Sequence, residues 1–166
     1  MKKTIVIIAL VAMIIAPLAA KSILPSQQKG GFAIGLELGQ PAGITFDYKI
    51  DNKWDGYITA AFGYVGSTYI DAVLGGQYKV AEFKVDKAVF DVNVGVQAGA
   101  NILLGNAKGV MIAARGTASI SYDWTWKNVG DFTAYLRGGC GYAFALTDSL
   151  TGSISWNAAL GCVYHL

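Results

Sequence analysis

The ionisable side chains of the predicted strands are the residues that could do chemistry. All of them fall on the same parity of an alternation that repeats every two residues. Side chains on a β-strand point alternately to its two faces, so residues of the same parity lie on the same face. Four acids, four bases and the single histidine occupy one register, while apolar residues occupy the other. These nine residues are Glu37, Asp47, Lys49, Asp71, Lys79, Asp91, Arg115, Arg137 and His165.

A balanced set of opposite charges on one face predicts a network of ion pairs and hydrogen bonds. Buried charges are costly unless they are paired, so equal numbers of acids and bases indicate mutual neutralisation. Lys79 and Asp91 are expected to be neighbours across a hairpin centred near residue 85. We therefore expect a side-chain-filled polar interior or, if ion pairs exchange partners, a narrow polar conduit. Amide side chains would fill the remaining polar positions: Gln77, Asn93, Gln97, Asn101 and Asn157.

The pattern does not favour catalysis or metal binding. A nucleophile needs a base within hydrogen-bond reach, and His165 has no adjacent serine. Ser153 and Ser155 lie on the same strand as His165, but about a membrane thickness away along it. One histidine and two outward-facing thiols cannot assemble a metal site. We expect no enzymatic activity and no cofactor.

The two cysteines are predicted to be free. Across the last hairpin, Cys140 is expected opposite Trp156, and Cys162 opposite Ala134. Partners so far apart along a hairpin cannot meet the geometry of a disulfide. We expect both thiols to act as small apolar side chains on the outer face.

The elements that must position the charges are eight short alternating segments. No segment after Ala20 has a convincing helical period. The strand lengths mostly match the ~9–11 tilted residues that cross a bilayer. Turns are predicted at 40–43, 51–53, 66–67, 106–109 and 147–149, with longer links at 81–88 and 123–131. The predicted strands are 31–39, 44–51, 57–65, 68–80, 89–103, 110–122, 132–146 and 150–166.

The sizes of the side chains in the two registers indicate which face is the interior. An eight-stranded barrel has an interior just wide enough to be filled by side chains. The charged register is rich in glycine, and small residues suit that crowded space, whereas the apolar register holds many large rings. A water-soluble exterior would carry many Lys and Glu, but only 14% of the residues are charged. This argument favours lipid outside.

Aromatic residues cluster near the predicted strand ends. Amphipathic rings suit the headgroup level of a bilayer, and membrane barrels carry aromatic girdles there. The sequence therefore predicts two interfacial belts. The rings assigned to them are Tyr48, Trp54, Tyr57, Tyr64, Tyr69, Tyr78, Tyr122, Trp124, Trp126, Tyr142, Phe144 and Tyr164.

The first twenty residues have the layout of a secretory signal. Lys2 and Lys3 precede an apolar stretch over 4–15, which small residues close before an expected cleavage after Ala20. A membrane anchor helix is the alternative, and Pro17 and a span short of ~20 apolar residues disfavour it. The predicted division is a signal peptide at 1–20, a short leader at 21–30 and one β-domain at 31–166. The net charge of +2 forms no polybasic face for nucleic acid.

Both ends of the β-domain carry a recognisable pattern. The last strand alternates to its final residue, with Leu160, Cys162, Tyr164 and Leu166 in the apolar register, and a Gly-x-Pro-x-Gly hairpin occupies 39–43. Here the chain resembles small bacterial outer-membrane β-barrels of the OmpA, OmpX and OmpW type. Leu166 departs from their usual terminal aromatic residue. Together with the alternation, the resemblance implies an all-β, eight-stranded antiparallel up-and-down transmembrane β-barrel located in the outer membrane.

The function expected from this fold is structural: a small integral outer-membrane barrel that stabilises the membrane. The first alternative is a narrow barrel that transports small or apolar solutes, as the resemblance to OmpW-type proteins implies. The second alternative is a soluble periplasmic ligand-binding β-barrel. The expected partners are outer-membrane lipids and the barrel-assembly machinery, which would recognise the C-terminal strand. We expect a monomer.

Overall fold

The fold is all-β wherever the computed structural model describes the chain, which is at residues 21–22, 31–65, 67–104, 109–146 and 150–166. Within these residues, no helix is long and apolar enough to cross a membrane. The strands are β1 Lys21–Ser22, β2 Gly31–Gly39, β3 Gly43–Lys49, β4 Trp54–Val65, β5 Ser67–Val85, β6 Ala88–Leu104, β7 Gly109–Trp126, β8 Gly130–Leu146 and β9 Leu150–His165.

Strands β2 to β9 form a closed ring. Each pairs antiparallel with the next along the chain, and β2 also pairs with β9. Hydrogen bonds from strand to strand therefore run around the whole sheet and leave no edge along it. The prediction of eight antiparallel strands in up-and-down order is confirmed. The two-residue strand β1 pairs with Trp124 and Thr125 of β7, beyond Tyr122, where the pairing of β7 with β6 ends.

The two faces of the ring differ as the alternation predicts. On the outer face, Phe46 is 49% exposed and Val96 is 70% exposed. On the inner face, Thr45 is 0% and Arg137 is 3% exposed. The apolar contact cluster among the described buried residues is small, consisting of Ala33, Tyr135 and Val163, and as many polar as apolar side chains are buried.

Two of the predicted connections are wrong. The segments 81–88 and 123–131 are mostly strand, because β5 continues to Val85 and β7 continues to Trp126. The turns that remain are short, at 86–87 and 127–129. Asp86 and Asn128 have φ angles of 53° and 68°, a left-handed conformation that Asp and Asn tolerate better than most residues.

A β-bulge explains why the alternation of β5 breaks. The pairing with β6 shifts register between Lys79 and Ala81, so parity changes there. As a result Phe83 lies opposite Phe90, and their rings stack with centroids 5.2 Å apart. Without the shift, Phe83 would share the face of Lys79.

The turns predicted at 40–43 and 51–53 are confirmed. In the second, the Asp51 carboxylate accepts hydrogen bonds from the backbone N–H groups of Lys53 at 2.7 Å and Trp54 at 2.8 Å. These bonds stabilise the charged form and lower the pKa of Asp51. The predicted turns at Gly66, 106–108 and 147–149 lie outside the described residues, as do the predicted signal peptide at 1–20 and positions 23–30 of the predicted leader.

Candidate functional site in the polar interior

All eight charges predicted for the interior lie on the inner face of the ring, buried or half-buried. Two of the expected acid–base contacts form between them: Arg137 Nη1 lies 3.4 Å from Glu37 Oε2, and Lys79 Nζ lies 3.3 Å from Asp91 Oδ1. The neighbour relation expected for Lys79 and Asp91 is thus confirmed. The remaining four, Asp47, Lys49, Asp71 and Arg115, bind other groups or line cavities.

Arg137 lies at the centre of the interior, between two aromatic rings. Its guanidinium carbon is 3.4 Å from the ring centroid of Tyr57 and 4.4 Å from that of Tyr135. Tyr135 donates a hydrogen bond of 2.6 Å to Glu37 Oε2, and Tyr57 donates one of 2.9 Å to Gln97 Oε1. Cation–π contacts and an acid partner together compensate a charge that is 3% exposed. We call these five residues the central layer.

Two glycines make room for the rings of the central layer. Tyr57 is paired with Gly75 on β5, and Tyr135 with Gly161 on β9. A Cβ atom added to either glycine would lie 2.2 Å from the Cζ atom of the facing tyrosine. The rings therefore lie flat on bare backbone, which brings both of them over Arg137. Tyr57 was predicted to belong to an interfacial belt, and this prediction is wrong because the ring is inside and 3% exposed.

A second cluster occupies the end of the ring that holds the C-terminus. Lys49 Nζ forms an ion pair of 2.8 Å with Asp123 Oδ2. Thr133 Oγ1 donates its hydrogen to Asp123 Oδ1 and lies 2.7 Å from His165 Nε2. Because a hydroxyl has one hydrogen, Nε2 must be the donor in the contact with His165. A histidine nitrogen that carries a proton cannot accept one from Thr133, so this is not a nucleophile–base pair.

Asp55 and Asp123 are inner-face acids outside the predicted set of eight charges, and Asp55 lines the cavity at the end that holds the C-terminus. The sequence analysis places Asp123 in a link at 123–131, but this side chain is 6% exposed and faces the interior from β7. The signal was present, because Asp123 continues the inner register of Ser119 and Ser121. Lys49 therefore has a partner from a distant strand, across the interior.

Hydrogen bonds between neutral side chains extend the network between the charges. Asn93 donates to Ser119 at 3.2 Å and to Ser121 at 3.1 Å, and Ser119 donates to Gln77 at 3.0 Å. Gln77 and Asn93 are 3% and 7% exposed. Amides thus fill the interior where the charges leave space.

The other end of the ring holds a cavity of about 360 Å³, lined in part by Asp71, Asn101, Arg115, Ser155 and Asn157. Arg115 donates to Ser155 Oγ from Nε at 2.9 Å and from Nη2 at 2.7 Å. A smaller cavity at the end that holds the C-terminus is lined by both acids and bases, including Lys49, Asp91 and His165. The central layer lies between the two cavities.

In the described part of the chain, no three His, Cys, Asp or Glu residues are grouped so as to hold a metal ion. Cys140 and Cys162 are free and lie opposite Trp156 and Ala134, as predicted.

No protein-family model, curated protein or solved structure matches this chain. The geometry of the interior and of the outer face therefore carries the functional argument.

The first prediction concerns the central ion pair. Arg137→Ala should lower the free energy of unfolding by about 3–5 kcal/mol, because it leaves the Glu37 carboxylate buried without its cation. Urea unfolding of the protein in detergent, followed by tryptophan fluorescence, measures the change. Lys84→Ala is the matched control, since Lys84 is an exposed cation at the end of β5.

A double variant separates the charge from the packing. If the unpaired carboxylate causes the loss, Glu37→Gln combined with Arg137→Ala should be more stable than Arg137→Ala alone. If Arg137→Ala unfolds at the same urea concentration as the unmodified protein, the central layer does not stabilise the ring.

Proposed function

We propose that this protein is a small integral outer-membrane β-barrel whose polar interior is filled by side chains and whose role is to stabilise the membrane structurally. One observation carries the proposal: apolar side chains cover the outside of the ring, while the ion pairs Arg137–Glu37 and Lys49–Asp123 lie inside. This orientation is the reverse of what the soluble ligand-binding alternative requires, in which the apolar face would form the core.

The outer surface supports a lipid environment. Large apolar residues on every strand of the ring are exposed, among them Leu36 at 58%, Leu74 at 60% and Leu136 at 57%. Soluble monomers rarely expose a continuous apolar patch of more than a few hundred Å². Burial of such side chains in hydrocarbon is favourable by about 25 cal/mol per Å².

Aromatic side chains lie near the end of the ring that holds the C-terminus, and every strand of the ring contributes to a cross-strand pair, although Tyr122 and Trp124 are only 4% and 6% exposed. Rings pair across strands with centroids 4.6 to 5.3 Å apart, and such belts are typical of the membrane–water interface. The cross-strand pairs are Phe32–Tyr48, Trp54–Tyr78, Phe83–Phe90, Phe90–Tyr122, Trp124–Phe132 and Phe132–Tyr164.

The distance between the two ends suits a bilayer. Tyr142, Phe144 and Trp156 expose their rings near the other end, at 46%, 42% and 68%. Phe132 and Phe144 lie twelve residues apart on β8, which is about 40 Å along a strand at ~3.3 Å per residue. A strand tilt of ~40° would reduce this to roughly 30 Å along the ring axis, compared with ~25 Å for the apolar band of a membrane barrel.

The structural role is favoured over transport because the central layer separates the two cavities. Glu37, Tyr57, Tyr135 and Arg137 are each 4% exposed or less, so they form a compact barrier. A solute could cross only if the ion pair and the rings moved apart. Partners under this proposal are lipids and, through the outward residues of β9, the barrel-assembly machinery.

The second prediction tests membrane insertion. Expressed with residues 1–20 in a Gram-negative host, the protein should lose that segment and fractionate with outer membranes. Because a closed ring of hydrogen-bonded strands resists detergent, the unheated sample should migrate faster on a gel than the boiled one. Recovery in the periplasmic soluble fraction, without detergent, would contradict the proposal and favour the soluble alternative.

The third prediction separates structure from transport. Purified protein reconstituted into a planar bilayer should give no discrete conductance steps, because the central layer is closed. Glu37→Ala combined with Arg137→Ala removes the barrier's ion pair and serves as the positive comparison. Steady, discrete openings of the unmodified protein would overturn the structural role and support the transport alternative.

A further inference from the structure

The cavity at the end of the ring opposite the C-terminus brings one acid and one base into a shared space. Asp71 lies on β5 and Arg115 on β7, and both line the cavity of about 360 Å³. Small-molecule sites in proteins begin at about 300 Å³. This end of the interior is therefore large enough for a small ligand.

The two charges do not neutralise each other directly. Among the described residues, no ion pair within 4.0 Å joins Asp71 to Arg115 or to any other cation. Arg115 is instead held across the interior by its two hydrogen bonds to Ser155. Its Nη1 atom lies above Gly99, where a Cβ atom would come within 3.4 Å. These contacts hold the guanidinium in place, and among the described residues no side chain other than Ser155 accepts a hydrogen bond from it.

One residue of the cavity lining has a buried polar atom without a partner. Asn157 lines the cavity and is 5% exposed, and its Oδ1 atom has no hydrogen-bond donor. Buried polar atoms without a partner are uncommon in native proteins, and each one calls for an explanation. The Oδ1 atom lies over Gly139 of β8, where a Cβ atom would come within 2.5 Å.

Apolar groups complete the lining. Met111, Ala113 and Pro41 border the same cavity as the charges. A ligand that contacts all of these groups must therefore carry an anion, a cation and a hydrocarbon part.

We propose that this cavity binds a small zwitterion, namely an α-amino acid with an apolar side chain. The carboxylate accepts hydrogen bonds from Arg115, in the geometry that guanidinium groups favour for carboxylates. The ammonium group faces the Asp71 carboxylate, and the side chain packs towards Met111. The proposal goes beyond the structural role, since it assigns a ligand to one end of the interior.

Three related probes test this assignment by isothermal titration of the purified protein in detergent. L-leucine carries both charges, N-acetyl-L-leucine lacks the cation, and L-leucinamide lacks the carboxylate. L-leucine should bind about tenfold more tightly than either analogue, since each analogue loses a charge-assisted hydrogen bond. Equal affinity of L-leucine and N-acetyl-L-leucine would mean a simple anion site and would overturn the proposal, as would the absence of any heat from L-leucine.

Variants should shift the preference among the probes. Asp71→Asn should weaken L-leucine and leave N-acetyl-L-leucine unchanged, and Arg115→Gln should weaken L-leucine and leave L-leucinamide unchanged. Lys84→Gln, far from the cavity, is the control and should change neither. A faster-migrating unheated band confirms that each variant is folded. If either folded cavity variant binds L-leucine as tightly as the unmodified protein, the assignment is wrong, whatever membrane fractionation shows.

Discussion

A guanidinium group buried at the centre of the ring is the feature on which the rest of the interior depends. Arg137 is 3% exposed, and a charge withdrawn from water to that extent is stable only with partners on several sides. Glu37 on β2, Tyr57 on β4 and Tyr135 on β8 supply them. Because these partners come from separate strands, the central layer can form only when the sheet has closed.

Closure of the sheet also explains the outer surface. With ion pairs and amides occupying much of the interior, most large apolar side chains lie outside, and the one apolar contact cluster among the described buried residues is Ala33, Tyr135 and Val163. A water-soluble domain of this length draws its stability from a large apolar core. The stability of this ring must come instead from strand-to-strand hydrogen bonds, from the polar interior and from the solvent that covers its outer face.

The sequence was sufficient to predict which side chains share a face. Alternation alone assigned Phe46 and Val94 to one face of the sheet and Asp47 and Arg137 to the other. It also located the eight strands of the ring. It failed where the pairing departs from a simple ladder. The bulge between Lys79 and Ala81 changes parity, and a bulge is visible only against its partner strand. The length of β7 was underestimated, which hid Asp123.

Contacts across the interior were beyond what the pattern could predict. Tyr57 has the inner parity of β4, opposite to Phe62, but only its pairing with Gly75 shows that its ring lies flat and faces Arg137. Lys49 and Asp123 are 74 positions apart in the chain. Which inner residues meet depends on how far each strand is displaced along its neighbours, and alternation carries no information about that displacement.

Collision accessibility of spin labels tests most directly whether lipid surrounds this ring. Single cysteines at Val96 and Leu136, midway along β6 and β8, would be labelled after both native cysteines are replaced by alanine, with a label at Lys53 in a turn as the reference. In lipid vesicles, the account predicts that both mid-strand labels collide with oxygen and are shielded from a water-soluble nickel complex. If these labels meet the nickel complex as often as the label at Lys53 does, water covers the outer face and the account is wrong.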